Sequence, residues 1–251
     1  MVTASPIVRF WEVDFWRGCA VTGMIVYHLV YNLSAFGPYN LNPYSGFWLF
    51  FQRGVAISFL TLVGISLSLA HDRLLLRSKV PEFSRFGSRG GKIFLYGLAI
   101  TVVTYFFLGD WYVRFGVLHC IGISIILGYF FLRFYWVNLV LGLFIIAAGW
   151  MLYYQAFPFS FFIWLGFRPY GMYTVDYFPL LPWFGVVLLG VFLGKTLYPG
   201  YRRGFRIPDF SNIPPLAFFG YCGRHSLTIY LLHQPVLIAV LALFGLIAFS
   251  W

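Results

Sequence analysis

The chain has 251 residues, 61% of them hydrophobic and 23% aromatic, with only 10% charged and a mean hydropathy of +0.83. Soluble domains are closer to half apolar and a quarter charged, so this composition excludes an ordinary soluble domain and fits an integral membrane protein. The formal net charge of +10 comes from basic residues that cluster between apolar spans, which positive-inside topology explains better than nucleic-acid binding.

The first apolar run is Cys19–Phe36, within VDFWRGCAVTGMIVYHLVYNL. No signal-peptide pattern precedes it and no small-residue cleavage site follows it, so this helix is expected to be retained. Asp14 and Arg17, at i and i+3, can pair at its inner end. Arg17 there is either a snorkelling interfacial anchor or a group that meets a phosphate at the cytoplasmic mouth. His28 is an ionisable imidazole at membrane depth, and such a group usually faces a cavity or a partner because exposure to lipid is costly. Arg17 and His28 are eleven residues apart, which brings them within about 20° of each other around a helix. Tyr31 and Asn32 follow at i+3 and i+4, so charge and chemistry share one stripe.

Six further runs are long enough to span: Phe47–Ala70, Ile93–Leu108, Phe115–Leu132, Val137–Phe157, Phe178–Tyr198 and Leu227–Trp251. Together they predict an all-α polytopic bundle of about seven transmembrane helices in a single domain, residues 1–251. Arg53 opens the second span from the outer side. Asp110, Arg114 and His119 lie where the fourth begins, either as a helix-start pair with a satisfied histidine or as functional groups. The loop Pro158–Tyr177 is rich in aromatics and is expected to lie at the membrane interface. Asp176 stands just before the sixth span, where Pro179 and Pro182 suit a first helical turn or a kink. The last constellation is GRHSLTIYLLHQPV: Arg224 and His225 precede the helix, Ser226 can cap it, and Tyr230 and His233 share a face ahead of Gln234 and Pro235.

Alternating helices place 14 of the 17 basic residues on one side, leaving only Arg53, Arg114 and Arg168 on the other. The N-terminus is therefore expected inside and the C-terminus outside. Cys19, Cys120 and Cys222 form no CxxC pair and read as buried small hydrophobes, so no metal or disulfide site is expected. No internal repeat of the kind that builds inverted-repeat transporters is visible.

The segments Val13–Leu33, Arg53–Arg73, Arg114–Ser124, Val175–Lys195 and Gly223–Leu237 run in order from end to end. As a set they resemble the heparan-alpha-glucosaminide N-acetyltransferase catalytic-domain family, a branch of the transmembrane acyltransferase superfamily. The resemblance implies an acyl group taken from acetyl-CoA or another acyl-CoA on the cytoplasmic side and passed to an amine or hydroxyl, often of a sugar, on the other. The residues suggest no metal or prosthetic group; a multi-pass protein of a cell membrane, surrounded by the lipid bilayer, is expected in preference to an organelle because no targeting segment or luminal domain is seen, and a homodimer is possible. One departure stands out. The family's lysosomal enzyme carries its catalytic histidine in the loop after the first helix, with an asparagine inside the helix. Here the loop Gly37–Gly46 has no histidine, and His28 stands where the asparagine would be.

On this reading the phosphates of an acyl-CoA rest near Arg17 and Arg224, with Asp14, Tyr230 and His233 on the donor path. The thioester reaches His28, about 16 Å of helix rise away, a distance comparable to an extended pantetheine. His28 acts as general base or forms an acyl intermediate; sequence does not separate the two. Asn32, Tyr31, Tyr230 or His233 donates to the developing oxyanion. Asp176 orients the acceptor together with Arg114 and His119, and Arg53 and Tyr31 complete the acceptor-binding set. The rival readings are a small-solute transporter or channel lined by the same groups, and a bis-histidine haem protein using pairs among His28, His119 and His233.

Overall fold

The computed structural model describes residues 9–247, and the helices are α1 Trp11–Phe36, α2 Gly46–Leu76, α3 Phe83–Leu108, α4 Val117–Phe131, α5 Trp136–Tyr153, α6 Leu180–Leu197, α7 Pro214–Arg224 and α8 Ser226–Leu243. Short 3-10 turns follow α3 and α6. The last four residues of the span expected at Leu227–Trp251 lie outside the described residues, as do residues 1–8 of the segment before the first helix.

Six of these helices are long and apolar enough to cross a bilayer. The fourth expected span is shorter than its apolar run suggested. At 15 residues α4 rises about 22 Å, less than the ~30 Å hydrocarbon core. Polar backbone demands set its limits: Gly116 precedes it with extended backbone, and Leu132 and Phe134 close a turn onto the carbonyls of Tyr129 and Phe131. The third helix begins ten residues before the apolar run, at Phe83, because a basic first stretch carrying Arg85, Arg89 and Lys92 still has helical spacing. An eighth helix, α7, was not expected. Its prolines at the first two positions suit a helix start, where their missing N–H groups cost nothing.

The chain divides into two compact units. The first contains α1, the opening half of α2, α7 and α8. Here α1 packs along α7 and also meets α8. The close approach of α1 and α7 depends on two glycines: a Cβ on Gly18 would strike the Phe219 carbonyl, and one on Gly223 would strike the Asp14 carbonyl. Small residues that let backbones touch are the usual means of helix association where lipid removes the hydrophobic drive. Val13, Ala20, Val21, Met24 and Tyr27 are buried along the same helix.

The second unit holds the rest of α2 and α3 to α6. Its core centres on Leu60, Leu67, Cys120, Ile125, Val187, Leu188 and Val191. Glycines again set the pairings, Gly90 against Gly122 between α3 and α4, and Gly142 against Gly185 between α5 and α6. The segment between α5 and α6 is a linked set of rings, in which Phe159 contacts Phe157, Phe161, Phe162 and Phe167. Phe161, Tyr170 and Tyr173 remain exposed there, as aromatic residues at a membrane interface would be.

Candidate active site

The stripe on α1 faces the α7–α8 hairpin along its length. At the α7 end, the Asp14 carboxylate is buried and is bound by two guanidinium groups, Arg9 and Arg17. Arg17 Nη1 donates to Asp14 Oδ1 at 3.0 Å and to the Gly223 carbonyl at 3.5 Å. Arg17 therefore ties α1 to α7, and the expected Asp14–Arg17 pair is present. Arg9 is an additional partner that spacing alone did not suggest. Arg224 ends α7, exposed, with its guanidinium 5.9 Å from the Tyr221 ring centre. Arg53 lies half-buried in the second turn of α2.

At the α8 end, the His28 and His233 rings touch, with centroids 4.7 Å apart. Three contacts fix their protons. His28 Nδ1 lies 3.0 Å from the Met24 carbonyl, and His233 Nδ1 lies 2.6 Å from the Tyr230 carbonyl. Carbonyl oxygens only accept, so in neutral rings both Nδ1 atoms carry the proton. His233 Nε2 is then a bare lone pair, and it lies 3.3 Å from His28 Nδ1, whose N–H it shares with Met24. His28 Nε2 is left with its own lone pair. It has no hydrogen-bond partner among the described residues.

One turn along, Asn32 is completely buried and makes a two-way amide pair with Gln234: Asn32 Nδ2 donates to Gln234 Oε1 at 3.0 Å, and Gln234 Nε2 donates to Asn32 Oδ1 at 3.2 Å. Gln234 was named in the last constellation of the sequence but given no role there. Its signal was present, since it follows His233 directly and so sits one step round the same helix. Tyr31 contacts both the His28 ring and Tyr44, and Tyr27 also contacts the His28 ring. Tyr230 lies against His233. Thus His28, Asn32, Tyr31, Tyr230 and His233 form one cluster. The facing nitrogens of the two rings are 3.3 Å apart, which is hydrogen-bond distance.

Asp176, Arg114 and His119 belong to the second unit and are gathered at the start of α4. Asp176 Oδ2 accepts the Val117 N–H at 3.0 Å, and His119 Nδ1 accepts the Gly116 N–H at 3.2 Å. Both satisfy amides that a helix start leaves unpaired. A Cβ at Gly116 would strike the Asp176 carboxylate, so a larger residue there must displace that side chain. Burial pushes the Asp176 carboxyl up to about 6, against the opposing effect of the Val117 N–H. Its Oδ1 takes no hydrogen bond from the described residues. Arg114 donates to the Tyr112 hydroxyl at 2.9 Å and to the Tyr173 carbonyl at 3.5 Å, with its guanidinium over the Tyr112 ring.

No curated protein and no solved structure matches the chain. A family model does, the one described as heparan-alpha-glucosaminide N-acetyltransferase, catalytic, and it matches residues 9–235. That range takes in the Asp14–Arg17 staple, the paired histidines, the Asn32–Gln234 amides and the Asp176 cap alike. The chain belongs to the heparan-alpha-glucosaminide N-acetyltransferase catalytic family.

Proposed function

We propose that this protein transfers an acetyl or other acyl group from acyl-CoA on the cytoplasmic side of a cell membrane to an amine or hydroxyl acceptor, in the family's manner a sugar, on the other side. The observation that carries this reading is the His28 ring, whose Nδ1 proton is held by a carbonyl and whose Nε2 lone pair is left unengaged. That is the form a general base needs.

The donor's phosphates meet the arginines at the α1–α7 junction. Arg9, Arg17 and Arg224 stand there against Glu12 and Asp14, so the group keeps a positive balance that suits a phosphate. The pantetheine arm runs along α1 and brings the thioester beside His28. His28 Nε2 removes the acceptor's proton as its nitrogen or oxygen bonds to the acyl carbon. The tetrahedral intermediate then expels the CoA thiolate, which recovers the proton from the imidazolium and leaves as the thiol. Asn32 and Tyr31 lie within a turn of His28 and are the candidates to steady the oxyanion. Acyl transfer first to Nε2 itself is the alternative order of events with the same residues. Asp176, with its unengaged Oδ1, and the neighbouring Arg114 and His119 are assigned to the acceptor, as is Arg53.

The test is acetyl transfer by purified protein from labelled acetyl-CoA to a panel of amino sugars and hydroxyl acceptors. His28→Ala is expected to lower turnover by at least about 10². Turnover within tenfold of wild type would remove His28 from the role. A rise in melting temperature with acetyl-CoA, read separately, reports donor binding to the native state.

A further inference from the structure

Building on that reading, we propose that His233 is the positioning residue for His28, with its Nε2 lone pair holding the His28 ring in the Nδ1–H form and sharing the charge that develops there during proton transfer. The steps come from the hydrogen-bond chain itself. Tyr230 O fixes the proton of His233 on Nδ1. His233 Nε2 can then only accept, and the donor it faces among the described residues is His28 Nδ1–H. With His28 Nδ1 committed as donor, the lone pair that does chemistry can only be Nε2, on the far side of the ring from His233. An isolated imidazole exchanges between two neutral forms; here the reverse form would set the Nδ1 lone pair against the Met24 carbonyl and the His233 Nε2 lone pair at once.

The second consequence concerns charge. When Nε2 takes a proton from the acceptor, the Nδ1–H of the resulting imidazolium becomes a stronger donor. The Met24 carbonyl receives part of that gain, and His233 Nε2 receives the rest. Unlike a carbonyl, His233 can also take the proton outright, becoming an imidazolium whose own Nδ1–H is already held by Tyr230 O. This is the place that an orienting carboxylate fills in other acyl-transfer sites. A neutral imidazole suits membrane depth better, because it adds no permanent charge to the span. The Asn32–Gln234 pair, one turn further along α1 and one residue further along α8, ties α1 to α8 so that the two rings keep this register.

The experiment has a kinetic arm and a spectroscopic arm. His233→Leu keeps bulk and removes the acceptor; it is expected to lower kcat roughly 10²-fold with KM little changed. His233→Gln retains an acceptor oxygen and is expected to keep kcat within about tenfold of wild type. Adding His233→Leu to His28→Ala is expected to cost nothing more, since a residue that acts through His28 has nothing left to act on. A further loss in the double variant, or equal activity of the Leu and Gln variants, overturns the proposal. In the spectroscopic arm, 15N signals of His28 are expected to show a protonated Nδ1 and a bare Nε2 in wild type. In His233→Leu the opposite form appears alongside. Unchanged His28 signals in that variant overturn the proposal even if no acyl transfer is found, so this arm fails or holds independently of the transferase reading.

Discussion

His28 and Asp176 are both ionisable groups placed where water is scarce, and the structure handles them in opposite ways. His28 is neutral-compatible, because carbonyl and imidazole acceptors define where its single proton sits. Asp176 has one N–H to accept and no cation among its hydrogen-bond partners, so burial dominates and raises its carboxyl to about 6. The sign of the effect on stability follows. The folded state holds this proton more tightly than the unfolded chain, so stability falls as pH rises from about 4 through about 6. Asp176→Asn retains an oxygen for the Val117 N–H and cannot ionise. It is expected to flatten that part of the pH–melting curve and to raise stability above pH 7 by on the order of 1–2 kcal/mol, allowing for solvent screening at this half-buried position. A variant that keeps the wild-type slope between pH 4 and 6 would show that another group is responsible.

The element that most affects the site is α7, a helix too short to span and too polar at its end to register as one. It brings the Gly223 carbonyl to Arg17 and, after a single intervening residue, starts α8. Its contact with α1 is backbone against backbone at Gly18 and Gly223. Gly223→Ala or Gly18→Ala must push the two helices apart, with an expected loss of about 1–3 kcal/mol read as a lower melting temperature. Gly54→Ala is the control, since a Cβ there meets nothing and alanine favours helix; no loss is expected. Equal effects at all three positions would mean that helix propensity, not close approach, governs this region. The α1 stripe was legible in sequence because Arg17, His28, Tyr31 and Asn32 repeat at helical spacing. The helix that receives its lower end was not, because α7 carries no long apolar run to announce it.

At the scale of the whole molecule, the six long apolar helices suggest a multi-pass membrane protein, and the distribution of basic residues carries the expectation that Asp72–Lys92 and Lys195–Arg206 lie inside. The side of each loop can be measured. In a version with its three native cysteines replaced, a cysteine introduced at Ser160 is expected to react with an impermeant maleimide in intact cells, and one at Ser78 only after permeabilisation. The reverse pattern would invert the orientation and with it the side from which the donor arrives. The shortness of α4 bears on the same question, since a helix of about 22 Å crosses only with help from thinner bilayer or from its flanking segments.

Composition and hydropathy by themselves determined that the protein is helical and made for a bilayer, because twenty-residue apolar runs have no other stable solution in water or lipid. Residue spacing determined which side chains share the working face of α1, because helix geometry is a local property. Local geometry does not say which distant segment lies opposite. Only the tertiary structure decided that His233 meets His28 and that Gln234 meets Asn32, each across more than two hundred residues of chain. Those outcomes depend on where the helices come to rest against one another, and no pattern along the chain encodes them.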